Sequence, residues 1–78
     1  MEIRFDKELD IRGLVCPFTY IKTKIFLDGD VKPGEVVKII TDHEPAFRDV
    51  PRSVSEDGHS VLGTEVLGKD YIIYIKKK

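Results

Sequence analysis

Residues 9–25 read LDIRGLVCPFTYIKTKI, and this stretch decides how the chain must begin to fold. Ile3, Phe5, Leu9 and Ile11 all fall at odd positions across residues 3–11, the period-two alternation of a half-buried strand. Gly13 then permits a turn, and Pro17 stands where a helix accepts proline without losing a hydrogen bond, at its first position. A strand therefore gives way to a helix within a few residues, with Cys16 at the junction. Phe18, Ile21 and Ile25 recur at spacings of three and four, which predicts a helix that turns this face to a sheet and holds Lys22 and Thr23 away from it. The helix should stop near Asp28. Gly29 and the following DVKPGE supply two glycines, one proline and three charges, a stop-and-turn composition that runs to about Glu35.

Outward from that unit, VVKIIT at residues 36–41 is short, β-branched and almost continuously apolar, which fits a covered strand. In DHEPAFRDVPRSVSEDG, residues 42–58, Phe47, Val50 and Val54 carry helical spacing, and Gly58 suits the left-handed position after a helix. Pro51 removes a backbone donor and costs about 3 kcal/mol deep inside a helix, so the regular helix is expected to start near Asp49, with that carboxylate as its cap. Residues 60–67 and 71–76 are rich in Val, Leu, Ile and Tyr, with Gly68, Lys69 and Asp70 between them as a hairpin turn. The order is βαβαββ. The expected class is α+β, a two-layer α/β sandwich with two helices on one face of a four-stranded mixed sheet. One domain over residues 1–78 is expected, because so short a chain buries only about 60% of its unfolded surface and cannot close two cores.

Charge and composition narrow the function. With 13 basic and 14 acidic residues the formal net charge is −1, which argues against direct nucleic-acid binding through a broad positive field. The terminal lysines 76–78 have the character of a solvated tail. No apolar run approaches the roughly 20 residues of a membrane-spanning helix. MEIRFDKELDIRG also places charges where a secretory leader needs apolar residues, so the expected location is cytoplasmic. A lone cysteine makes no internal disulfide. The thiol of Cys16 is therefore expected to be reduced and available.

Parallel strands joined by a helix end on the same sheet edge, the edge where transfer and ligand sites of α/β folds collect. The Cys16 loop leaves one such end; Asp42, His43 and Glu44 leave the other. At a helix start, unpaired amides and the helix dipole favour negative charge and lower a thiol's pKa from about 8.5. Cysteine is equally a small buried hydrophobe, and Val15 and Phe18 offer apolar company. Position alone leaves both readings open.

The segment LDIRGLVCP, residues 9–17, resembles the signature of the TusA/SirA family, where an aliphatic-Asp-x-Arg-Gly run leads into a Cys-Pro pair. The likeness continues through KPGE at residues 32–35, a strand ending at Asp42, RDVP at residues 48–51, and Gly58-His59, covering about residues 9–76. It implies a βαβαββ domain that carries sulfur as a persulfide on Cys16, by sulfurtransferase-like transfer without independent turnover. The implied partners are a cysteine desulfurase or other persulfide donor and a downstream sulfur-acceptor protein. The pathways served in such families are tRNA thiolation, molybdenum cofactor synthesis and dissimilatory sulfur oxidation, and selenium handling also occurs. Two positions depart from the pattern. Thr19 replaces the second proline of the usual Cys-Pro-x-Pro, restoring a backbone N–H, and Asp42-His43-Glu44-Pro45 replaces the common Asp-Asp-Pro.

No metal or organic cofactor is required by this chemistry. Asp10, Arg12 and Gly13 are expected to orient the loop, Pro17 to set the helix start, and Asp42 and His43 to stand near the thiol or simply on a solvated loop. His59 is expected to satisfy local backbone groups or to face solvent. A Cys–His hydrolase would need a cleft and an oxyanion site that so small a domain hardly provides. A metal site from Cys16, Asp42 and His43 lacks the paired ligand spacing of zinc motifs. The alternative is a noncatalytic regulatory module binding RNA or protein, supported by Lys22, Lys24, Lys32 and the terminal lysines. A monomer is expected.

Overall fold

The computed structural model describes residues 3–15 and 17–78. Six elements follow in order: β1 (Lys7–Asp10), α1 (Phe18–Gly29), β2 (Val36–Thr41), α2 (Glu44–Glu56), β3 (Ser60–Leu67) and β4 (Asp70–Lys76). The strands form one sheet in the order β1-β2-β4-β3. β1 runs parallel to β2, and β4 pairs antiparallel with both β2 and β3, which makes the sheet mixed.

One face of this sheet meets both helices. Val37 and Ile39 of β2 pair with Ile75 and Ile73 of β4, and all four are fully buried with Leu27 of α1 and Ala46, Val50 and Val54 of α2. Alternate strand residues point to one side, so the core lies between the helices and that side. The β3–β4 hairpin closes through Gly68 and Lys69, with positive φ confined to Gly68 (63°), as a type II′ turn requires at its first central position. The α+β sandwich expected from the sequence is the observed fold.

Several local expectations are corrected. Ile3 and Phe5 lie outside β1. Asp6 both donates its amide to Val36 O (2.7 Å) and accepts the Val36 amide on its carboxylate (2.9 Å). Phe5 sits on the sheet face away from the helices, its ring 6.4 Å from that of Tyr74 and beneath the Lys38 ammonium at 5.1 Å.

The expected inner face of α1 is turned outward: Phe18, Ile21 and Ile25 are 57%, 43% and 64% exposed, while Thr19, Thr23 and Leu27 are buried. Thr23 can face the core because its hydroxyl donates to Thr19 O at 2.8 Å, leaving only its methyl to pack. α2 begins at Glu44, not near Asp49, and its cap residue His43 makes no side-chain capping bond. Asp49 lies in the helix body. Pro51 removes one donor from the ladder, yet Ala46, Val50 and Val54 are each fully buried along one face, and their packing holds the helix across the gap.

Candidate functional site

The parallel pairing of β1 with β2 brings two loops to one edge of the sheet. Residues 11–17 leave β1, and Asp42 and His43 leave β2. Ile11 extends the pairing by donating its amide to Ile40 O at 2.8 Å, and its side chain is buried at 1% exposure. The chain then turns at Gly13, whose φ of 89° is a left-handed value that side-chain-bearing residues rarely adopt. The Gly13 amide donates to Asp42 Oδ1 at 3.0 Å. Asp42 thus ties the first loop to the end of β2.

Asp10 and Arg12 form the second tie. The Asp10 carboxylate accepts the Arg12 amide at 3.0 Å, Arg12 Nε at 3.0 Å and Arg12 Nη2 at 2.7 Å. The side-chain hydrogen bond from Arg12 is the main reason the Asp10 carboxyl titrates below its usual range. Its partner is the main reason the guanidinium is held still more firmly protonated. Both side chains are about half exposed, so salt screens their attraction. Arg12 Nη1 also reaches Asp70 Oδ2 at 3.3 Å, on the β3–β4 hairpin. The pair fixes backbone, and the Asp10 carboxylate is itself engaged by Arg12.

Cys16 lies outside the described residues. On either side of it, Val15 O accepts the amides of Phe18 (2.8 Å) and Thr19 (3.3 Å), and Pro17 O accepts that of Ile21 (3.1 Å). Pro17 is the cap residue of α1, one place earlier than its expected first helical position. The first turn of α1 carries no acidic residue and no side-chain cap bond of its own, so no residue of that turn offsets the positive end of the helix dipole. His43 is half-buried and donates its amide to Thr41 Oγ1 at 3.1 Å.

Beside Pro17 an open groove of about 370 Å³ is lined by Tyr20 of α1 and Asp49, Arg52, Ser53 and Glu56 of α2. The Tyr20 hydroxyl donates to Asp57, which pushes its own ionisation up to about 12. Away from this edge, His59 is 7% exposed and accepts the Lys78 amide on Nδ1 at 3.2 Å. Burial, then the nearby Lys77 and Lys78, depress its protonation. Sequence reasoning missed Asp70, which reads only as a turn former, and the groove, which depends on how two helices meet. Among the described residues no cluster of three His, Cys, Asp or Glu side chains could hold a metal ion. No helix among them is long and apolar enough to cross a membrane.

The family model described as Sulfurtransferase TusA matches residues 7–77. The chain belongs to the TusA family. A candidate sulfur carrier protein of Archaeoglobus fulgidus is 55% identical over 78 residues, covering 99% of this chain and 88% of the relative. The sulfur carrier protein TusA of Allochromatium vinosum is 27% identical over 73 residues, covering 94% and 95% of the two chains. Among solved structures, a SirA-like protein of Desulfitobacterium hafniense superposes with a TM-score of 0.77 at 21% identity, covering 91% of this chain and 96% of that one. This last likeness bears on the fold.

Proposed function

We propose that this protein is a sulfur carrier whose Cys16 receives sulfur as a persulfide and passes it to an acceptor protein. TusA-family membership, with Cys16 next in sequence to Pro17, the cap residue of α1, carries the reading. The Cys16 thiolate attacks the outer sulfur of a donor's persulfide. The donor's S–S bond breaks and leaves a donor thiolate, while a new S–S bond forms on Cys16 and the proton stays with the transferred sulfur. The exchange is redox-neutral. An acceptor thiolate later removes the outer sulfur by the same step.

The donor in this reading is a cysteine desulfurase or another persulfide-bearing protein, the setting is the cytoplasm, and tRNA thiolation is one pathway it would serve. The ties from Asp10, Arg12 and Asp42 hold the loop, and the positive end of the α1 dipole, with no acidic residue in its first turn, favours a sulfur anion. Intact-mass measurement after incubation with a cysteine desulfurase and cysteine tests it. Wild type should gain one sulfur, removable by reductant, and Cys16→Ala none. Equal gain by both proteins, or gain by neither, would favour a binding module, and salt-dependent RNA binding would then be measured.

A further inference from the structure

The outward stripe of α1 serves neither the core nor the ties that hold the loop after β1. Phe18, Ile21 and Ile25 are 57%, 43% and 64% exposed, while two threonines and a leucine fill the buried side. Lys22, Asp28 and Gly29 share the outer face, because all six residues recur at steps of three and four. Lys22 is exposed and, among the described residues, has no hydrogen-bond or ion-pair partner. Asp28 is 57% exposed and meets Lys77 and Lys24 at 3.7 and 4.0 Å, which leaves its carboxylate room for a further cation. Gly29 is exposed too, and a Cβ placed on it would meet nothing within 4 Å.

These features complement themselves. A two-fold axis across α1 sets two copies of the helix antiparallel, and each residue then faces the one equally far beyond the axis. With the axis at Ile25, Lys22 stands three places before it and Asp28 three places after, so each lysine meets the aspartate of the other copy. Ile21 and Gly29 stand four places to either side, so each isoleucine enters the open space over a glycine, and the two Ile25 side chains meet at the centre. We propose that α1 docks in this register on α1 of a second copy of this chain, forming a two-fold dimer. The dimer needs no sulfur chemistry and stands apart from the carrier reading. A lipid surface fits the stripe less well, since it calls for a strongly basic flank, whereas Lys24 is turned to Asp28 and Asp57 and Lys22 shares its face with Asp28. The three apolar residues and the flanking lysine stems would bury on the order of 1,000 Å² over both copies, the low end of specific interfaces. The dimer is therefore weak, dissociated at low concentration and formed at high.

Sedimentation equilibrium from about 10 μM to about 1 mM protein tests this. Wild type should pass from monomer to dimer, and Ile25→Glu, which opposes two carboxylates on the axis, should stay monomeric. Lys22→Glu sets a carboxylate against Asp28 at both symmetric contacts and should raise the dissociation constant about tenfold. Asp28→Lys should do the same by opposing two ammonium groups. Mixed together, these two charge variants regain both attractions and should form a heterodimer at wild-type strength. Melting curves check that each variant is folded. A wild-type chain that is monomeric at every concentration overturns the proposal. So does a dimer that Ile25→Glu or Lys22→Glu leaves intact, or a mixture of the charge variants that associates no more tightly than either alone. If Asp28→Lys does not fold, the outcomes for Ile25→Glu and Lys22→Glu decide by themselves.

Discussion

Replacing Asp42 by alanine removes the acceptor of the Gly13 amide, the bond that ties the cysteine loop to the end of β2. The contact is 3.0 Å long and joins a backbone donor to an exposed carboxylate. Water can replace the lost oxygen there, so the net loss is that of an ordinary hydrogen bond, about 1 kcal/mol. That is roughly a fivefold change in the folded-to-unfolded ratio. With a urea dependence near 1 kcal/mol/M for a chain this short, the unfolding midpoint should fall by about 1 M. The loop would still be held by the Ile11 amide on Ile40 O and by the Asp10–Arg12 pair. Amide exchange at Gly13 should therefore accelerate more than exchange at Ile11. Asp42→Asn, which keeps an oxygen in place, should lose less on both measures. A wild-type midpoint together with wild-type Gly13 exchange in Asp42→Ala would refute the assignment of Asp42 as the tie.

Acid should weaken the fold in a defined window. The Arg12 hydrogen bond lowers Asp10 and the Tyr20 hydrogen bond lowers Asp57 from the ordinary 3.8, so their contribution is present above that value and is lost as pH falls through the folded pKa values. Melting scans from pH 5 to pH 2 should show the loss, blunted in Asp10→Asn and Asp57→Asn. His59 acts in a higher window: burial lowers its folded pKa from 6.5, and the unfolded chain takes the proton first. Stability should rise with pH up to about 6.5 and then level, and urea midpoints in His59→Gln should lack that slope. The orientation of α1 is checked by two truncations. Leu27→Ala, at 1% exposure, should cost about 2–5 kcal/mol; Phe18→Ala, at 57% exposure, should stay within about 0.5 kcal/mol.

Element order was legible because β2, β3 and β4 are rich in β-branched residues and every connection except the one from β2 to α2 carries glycine or proline. β2 lies over the stretch that its continuous apolar character marks, and the hairpin turns where Gly68 allows a positive φ. The rotation of α1 was not legible. Phe18, Ile21 and Ile25 make the larger apolar stripe, but the side facing the sheet is lined by Thr19, Thr23 and Leu27, and helical threonine can bury its methyl once its hydroxyl is satisfied locally. Apolar spacing cannot tell a stripe that faces a core from one left exposed. The start of α2 was hidden for a different reason. Pro51 weighs locally against a helix, while the burial of Ala46, Val50 and Val54 is a tertiary effect that no window of sequence contains.

At the candidate site, the shared edge of the loop after β1 and of Asp42 after β2 was legible from the strand ends of a parallel pair, whereas Asp10 and Arg12 stood out only through the motif. Asp70 joins them from 58 residues beyond Arg12, a separation across which sequence alone carries no signal. The Thr19 departure from the usual proline was visible, but the complete burial of its side chain was not, because burial is a matter of tertiary packing.

Sulfur bound covalently to one named atom is the claim on which the functional account stands. Tandem mass spectrometry of the peptide spanning residues 13–22, taken from protein loaded by a cysteine desulfurase and trapped with an alkylating agent, locates that atom. The account predicts a fragment series in which one extra sulfur appears at Cys16 and disappears when reductant precedes trapping. An unmodified Cys16 peptide from protein exposed to an active, persulfide-bearing donor would contradict it.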